Sequence, residues 1–197
     1  MKSVLARFMD VIEFFVSTAT VAILIYLLVT QPHQVNGNSM YPNFHDGEFL
    51  LTDKLTYKFR PPSRGDVVVF TAPPAARCPA GLNCDFIKRI VALPGEQIKI
   101  ENRKIYINGE YLVEPYLSPE IVTNSGSTLK SFLPEGVRQT IPDGNYLVMG
   151  DNRNASSDSR DWGLVEKNKI VGKAWLRYWP PSVAGVLAFE PASLESK

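Results

Sequence analysis

Histidine and cysteine are scarce in this chain, with two of each among 197 residues. A zinc-type centre takes about four nitrogen, sulfur or carboxylate ligands at short spacings. His33 and His45 stand at no such spacing from Cys78 and Cys84, so no metal is expected. The net charge is only +1, which denies the chain the basic face that nucleic-acid binding requires. Internal repeats and low-complexity tracts are absent too. Charge is missing locally as well: between Glu13 and Asp46 there is no Asp, Glu, Lys or Arg.

That uncharged stretch contains the longest apolar run. From Val11 to Thr30 the residues are apolar, small or, at Tyr26, aromatic, with Glu13 the only charge. Twenty helical residues span about 30 Å, the thickness of a bilayer core. The segment is apolar all round, unlike a core helix, and ends in Val29-Thr30-Gln31-Pro32-His33, which lacks the small residues of a signal-peptide cleavage site. It reads as a retained, single-pass anchor. Lys2 and Arg7 precede it and no Lys or Arg follows before Lys54. The excess of positive charge on the N-terminal side places residues 1–10 in the cytoplasm and residues 31–197 outside. Cys78 and Cys84 close a short loop on that outer side, where an oxidising compartment would favour a disulfide. A free pair is the alternative.

The remainder is rich in turn formers, with 15 prolines and 13 glycines in the whole chain, and reads as mainly β. Gln31 to Asn38 reads as a polar linker. Strands are expected over Glu48–Thr52, Val67–Phe70, Phe86–Leu93, Gln139–Ile141, Tyr146–Met149 and Ile170–Tyr178, with a hairpin of Gln97–Ile100 and Lys104–Ile107. Asn108-Gly109 carries a type I′ turn signal. Residues 110–138 read as an irregular surface insertion. Beyond the anchor, only Val165–Asn168 looks helical.

Three features could carry chemistry. Ser39 lies in the turn Asn36-Gly37-Asn38-Ser39-Met40-Tyr41-Pro42; its hydroxyl is a poor nucleophile until a base takes the proton, and a loop serine is ordinarily a turn residue. Lys88 sits in an otherwise apolar strand, with Arg89 on the opposite face. A desolvated lysine loses its proton more readily and could serve as that base; an edge-strand lysine reaching water is the plainer reading. The run from Gly150 to Gly163 is dense in charged and hydroxyl groups. Its arginines argue against a calcium loop and favour ion pairs of Asp151 and Asp158 with Arg153 or Arg160. A solvated loop would have the same composition.

Taken in order, these motifs resemble the bacterial type I signal peptidases, membrane-anchored Ser/Lys proteases. Ser39-Met40-Tyr41-Pro42 matches the nucleophile box and Arg64-Gly65-Asp66-Val67-Val68 the second. Lys88 through Gly95 matches the lysine box, and Gly150-Asp151-Asn152-Arg153 through Ser156, Asp158, Ser159, Arg160 and Trp162-Gly163 the last. The resemblance implies an antiparallel β catalytic domain of signal-peptidase or self-cleaving-repressor type behind one transmembrane helix. It implies Ser39 as nucleophile, Lys88 as general base, Ser156 as the hydroxyl orienting the lysine, and Asp158–Arg160 as a structural pair. The backbones of Ser39 and Gly37 would form the oxyanion hole. Implied substrates are exported preproteins with small residues at −1 and −3. Met40, Tyr41 and Phe44 are expected to rest on the bilayer surface. The expected partners are such preproteins and the lipid bilayer of the plasma membrane, with no cofactor, and the chain is expected to act as a monomer. Competing readings are a soluble self-cleaving repressor, which an anchor disfavours, a non-catalytic envelope-binding β domain, and a Ser39–His45 pairing.

Overall fold

A computed structural model describes residues 2–76, 78, 84–127 and 131–195. One long helix, α1 (Lys2–Val29), runs into strand β1 (Thr30–Gln34) with no residue between. There follow β2 (Phe49–Asp53), a one-turn helix α2 (Thr56–Phe59), β3 (Val67–Thr71), β4 (Asp85–Ala92), β5 (Gln97–Glu101), β6 (Lys104–Ile107), β7 (Glu110–Val113) and β8 (Arg138–Thr140). Then come β9 (Asn145–Met149), a second short helix α3 (Ser159–Trp162), β10 (Val165–Glu166), β11 (Ile170–Trp179), β12 (Gly185–Val186) and β13 (Ser193–Glu195).

The strands form two antiparallel sheets. The larger has the order β1-β2-β11-β3-β4-β9-β10, with β12 on β11; the smaller has the order β13-β7-β6-β5-β8. Asn108 and Gly109 both have positive φ, 53° and 92°, as a type I′ turn requires, and they join β6 to β7 with Ile107 opposite Glu110. One core cluster ties the sheets together: Val91 and Ala92 of β4 and Met149 of β9 meet Ile98, Ile100, Ile105 and Ile107 from the smaller sheet. On the larger sheet, side chains alternate between faces. Val67 joins a cluster with Met40, Phe44 and Leu50, while its neighbours Val68 and Phe70 join Ile90, Tyr146 and Val148. Each such fully buried aliphatic side chain contributes about 1.5–3 kcal/mol.

Residues 6–29 of α1 are long and apolar enough to cross a membrane, and none of that segment packs into the protein body. The last carbonyls of the helix are satisfied locally. Lys54 donates its backbone N–H to Val29 (3.0 Å) and its ammonium to Leu27 (3.3 Å), and the Thr30 hydroxyl bonds Tyr26 (3.2 Å). A cation at a helix C-terminus also suits the macrodipole.

The mainly antiparallel architecture and the β5–β6 hairpin match the expectation from sequence. Three local expectations do not. The linker over residues 31–38 is in part an edge strand, β1, paired with β2 from Thr30↔Asp53 to Gln34↔Phe49; Pro32 is tolerated there because an edge strand has one side unpaired. Residues 165–168 are helical only in their second half: they begin with strand β10 and pass into a 3₁₀ helix over Lys167–Lys169. The supposed surface insertion at 110–138 begins with strand β7, and Tyr116, Thr123 and Leu133 within it are buried, because its polar groups satisfy the site described next. Most of the Cys78–Cys84 loop lies outside the described residues; the two cysteines are bonded, with Cα atoms 6.1 Å apart.

Candidate active site

Ser39 sits in a turn clamped from three sides. Gly37 enters it at φ +84°, a left-handed conformation that glycine adopts at little cost. Its N–H donates to Asp46 Oδ1 at 2.6 Å. Beneath the turn, Met40 and Phe44 are 1% and 0% exposed. From the side, Asn152 donates its backbone N–H to the Ser39 carbonyl (3.0 Å) and its Nδ2 to the Asn38 carbonyl (3.1 Å). Gly150 lets this loop close in, since a Cβ there would run into the Ser156 side chain and the Ser39 carbonyl.

Lys88 reaches the serine from β4. Its Nζ lies 2.6 Å from Ser39 Oγ and the residue is 5% exposed. Burial strips the ammonium of water and lowers its pKa from 10.5 to about 8; the Asp158 and Asp151 carboxylates pull the other way and Arg160 adds to the fall. A lysine poised there can be neutral in a useful fraction of molecules, about one in ten at pH 7. The contact brings a weak nucleophile and a tuned amine within proton-transfer distance.

Arg89, on the opposite face of the strand, is 0% exposed and fully partnered. It grips Asp151 through two bonds, Nε–Oδ1 (2.8 Å) and Nη2–Oδ2 (2.6 Å), and its guanidinium lies 3.9 Å from the Tyr116 ring centroid and 4.3 Å from that of Phe189. Asn43 bonds Asp151 as well (2.8 Å). Arg153 pairs with Glu114 (2.7 Å) and also bonds Thr123 and the Gly150 carbonyl. Burial would raise the Glu114 carboxyl, but Arg153 and the Tyr116 hydroxyl hold it below the usual carboxylate value. Asp158 binds Arg160 Nε and Nη2, each at 2.8 Å, and accepts the Gly150 N–H (3.0 Å).

Several expected roles are altered by this geometry. Asp151 pairs with Arg89 and Arg153 with Glu114, so the ion pairs of the Gly150–Gly163 loop are not all internal to it; only Asp158–Arg160 is. Met40 and Phe44 are core residues and cannot rest on a bilayer. Their apolar surface is consumed beneath the turn, and only Tyr41, 50% exposed, stays at the surface. Gly37 has already committed its N–H to Asp46, which removes it as an oxyanion donor in this conformation; the Ser39 N–H has no acceptor among the described residues. Ser156 Oγ is buried without a hydrogen-bond partner, so it is not bonded to Lys88. His45 contacts Glu48 (3.4 Å) and the Tyr41 ring instead of Ser39. Sequence reasoning missed Asn43, Asp46, Glu114 and Tyr116. Of these only Asp46, in its Asp-Gly turn, had a local signal; the others act across long separations.

A cavity of about 490 Å³ opens beside the pair. Consecutive residues border it on both sides, 33–36 on one and 84–88 on the other, with Leu50 and Val69 also lining it. Side chains of one strand face would alternate, so unbroken runs mean that backbone edges border the groove. Among the described residues both edges are unpaired there: β1 pairs only with β2, and β4 meets β9 only from Arg89 onward. No group of three or more His, Cys, Asp or Glu side chains able to hold a metal occurs among the described residues.

The sequence profile described as "Signal peptidase, peptidase S26" matches residues 8–179. A probable signal peptidase I-2 of Synechocystis sp. is 34% identical over 172 residues, covering 87% of this chain and 73% of that protein. Signal peptidase IB of Staphylococcus aureus is 33% identical over 181 residues, covering 87% and 91%. A crystal structure of a signal peptidase I from Enterococcus faecalis aligns with a TM-score of 0.44 at 30% identity, over 58% of this chain and 97% of the other. With the profile spanning all but the two ends of the chain, this protein belongs to the signal peptidase family, peptidase S26.

Proposed function

We propose that the chain is a membrane-anchored serine endopeptidase that removes signal peptides from exported preproteins, with Ser39 as nucleophile and Lys88 as general base. The observation that carries this reading is the 2.6 Å contact between Lys88 Nζ and Ser39 Oγ, made by a lysine that burial has depressed to about 8. The names of its relatives supply the substrate class.

The neutral Lys88 amine takes the Ser39 proton as Oγ attacks the scissile carbonyl. The tetrahedral oxyanion accepts the Ser39 N–H. On collapse, the Lys88 ammonium returns the proton to the departing amine, leaving an acyl ester on Ser39. A water then gives a proton to Lys88 as its oxygen attacks the ester, and Lys88 passes that proton to Ser39 Oγ as the ester bond breaks, which frees the serine and returns both groups to their starting states. While Lys88 is charged and Ser39 is esterified, the ammonium needs another acceptor. The unpartnered Ser156 Oγ is the hydroxyl we assign to that role.

The two unpaired edges, β1 and the first half of β4, suit an extended peptide added as a strand between them. Selection of small residues at −1 and −3 follows if the cavity walls meet those side chains. The candidate span over residues 6–29 holds a single copy in the plasma membrane. The end of the helix that carries Lys2 and Arg7 lies in the cytoplasm, and the groove lies outside.

The test is cleavage of a signal-peptide-bearing precursor by the full-length chain in detergent, beside Ser39→Ala and Lys88→Ala. Wild type should cut, and each variant should lose roughly 10³-fold or more. Full-rate cutting by Lys88→Ala would remove the dyad. A wild-type chain that leaves the precursor intact would favour a non-catalytic envelope protein.

A further inference from the structure

The groove holds a second polar cluster that takes no part in the proton transfer. His33 of β1 faces Asp85 of β4 across it, with Nε2 3.4 Å from Asp85 Oδ2. His33 Nδ1 lies 2.9 Å from the Thr52 hydroxyl of β2, and Gln31 Nε2 lies 3.3 Å from His33 Nε2. Asp85 Oδ1 accepts the Thr71 hydroxyl of β3 at 3.2 Å. Four strands thus place one imidazole and one carboxylate in a cavity whose lining also includes Gln34 and Cys84 and the apolar Val35, Leu50, Val69, Phe86 and Ile87. Their side chains are 14% and 33% exposed, so both are accessible to an occupant of the groove.

Two properties of the pair bear on what that occupant can be. Asp85 stands three residues before Lys88 on the same strand, roughly 10 Å away at about 3.3 Å per residue. An extended peptide beside β4 with its scissile carbonyl at Ser39 therefore brings the third residue from that bond to the pair. The carboxylate also has unused capacity. It offers about four lone-pair sites; Thr71 takes one, and the His33 contact is long for a hydrogen bond. A donor on the incoming side chain can take up that capacity, whereas an apolar side chain there desolvates the carboxylate without replacing its water.

We propose that His33 and Asp85 are specificity-determining residues for substrate position −3, favouring a small side chain that carries a hydroxyl over an apolar one of the same size. The proposal rests on the reading of the groove as a peptide site with Ser39 at the scissile bond. Asp85 accepts the substrate hydroxyl. His33, fixed by Thr52, holds the carboxylate in place and narrows the space against larger side chains.

Threonine and valine have nearly the same shape and differ in the hydroxyl, so they isolate the effect. The full-length chain in detergent is assayed on soluble peptides identical except for Ala, Thr, Val or Leu at −3, and kcat/KM is compared within each preparation. The Thr-to-Val ratio cancels any loss of folded enzyme. Wild type should prefer Thr over Val by about tenfold or more, the effect of one hydrogen bond to a charged acceptor. Asp85→Ala should bring the ratio close to one. His33→Phe, which keeps a ring but loses both nitrogens, should lower it by about half or more. A wild-type ratio at or below one, or the same ratio in all three proteins, overturns the proposal. If wild type selects Ala over Leu at −3 while the Thr-to-Val ratio stays constant, only the His33–Asp85 role falls. If it cuts no peptide, or ignores the size of the −3 residue, the reading of the groove falls and takes the proposal with it.

Discussion

Lys88 and Arg89 are adjacent in sequence, both cationic and both removed from water, yet their surroundings are opposite in kind. Arg89 lies in a cage of two bonds to Asp151 and two aromatic faces. Lys88 has one hydroxyl for a partner and Phe86, Phe70 and Ile90 on its face of the strand. A buried charge that is fully paired serves structure, and removing one partner leaves the other uncompensated. A buried cation with no carboxylate partner sheds its proton instead. The strand therefore carries a fixed charge on one face and a titratable amine on the other.

Substituting each in turn is the most severe test of that difference. Lys88→Ala should fold and lose roughly 10³-fold or more in cleavage. Arg89→Ala should lose about 3–5 kcal/mol of stability by orphaning Asp151, measured by chemical denaturation. An Arg89→Ala protein of wild-type stability would erase the distinction. The pH profile sharpens it: kcat/KM should climb through an acidic limb centred near pH 8, where Lys88 deprotonates. A limb near pH 6 would point to a different base.

Stability has a matching dependence. The unfolded chain keeps the Lys88 proton to about pH 10.4, while the folded protein releases it near 8. Between those values the unfolded state binds more protons, so this group's contribution to stability rises with pH. Below about pH 8 the burial costs on the order of 3 kcal/mol. Lys88→Met should recover much of that cost at pH 7, and thermal melts of the two proteins should converge above pH 10. Ser156→Ala should lower kcat about tenfold and leave stability nearly unchanged, since its hydroxyl has no partner to lose. A large loss of stability would instead make Ser156 structural. The smallest effect expected is at His45. His45→Ala should cut within about twofold of wild type, because the imidazole contacts Glu48 and Tyr41 and not the serine.

Lys88 stands out as a lysine inside an apolar β run, but that pattern alone favours an edge lysine reaching water; it and Ser39 were legible as a pair because their boxes recur in order with two others. The partner of Arg89 was not legible. Asp151 lies 62 residues away, and Glu114 lies 39 from Arg153; no local pattern records a pairing at such separations. Met40 and Phe44 were misplaced for another reason. Apolar residues soon after an anchor suit a bilayer or a core equally well, and a turn has no periodicity to decide between them. Strand β1 was hidden by its polar composition and Pro32, both compatible with an edge. The Asp46 bond that occupies the Gly37 N–H depends on how the turn folds back, which composition does not specify.

The junction of α1 and β1 has a mechanical consequence. Because the strand begins at the residue after the helix, and Lys54 ties both together through Val29 and Leu27, no hinge separates them. From Thr30 to His33, where the groove begins, strand β1 covers roughly 10 Å. In the proposed membrane setting that distance works as a ruler. The chain would cut at one fixed height above the lipid, and a precursor whose cleavage site emerges higher or lower would have to bend to meet it.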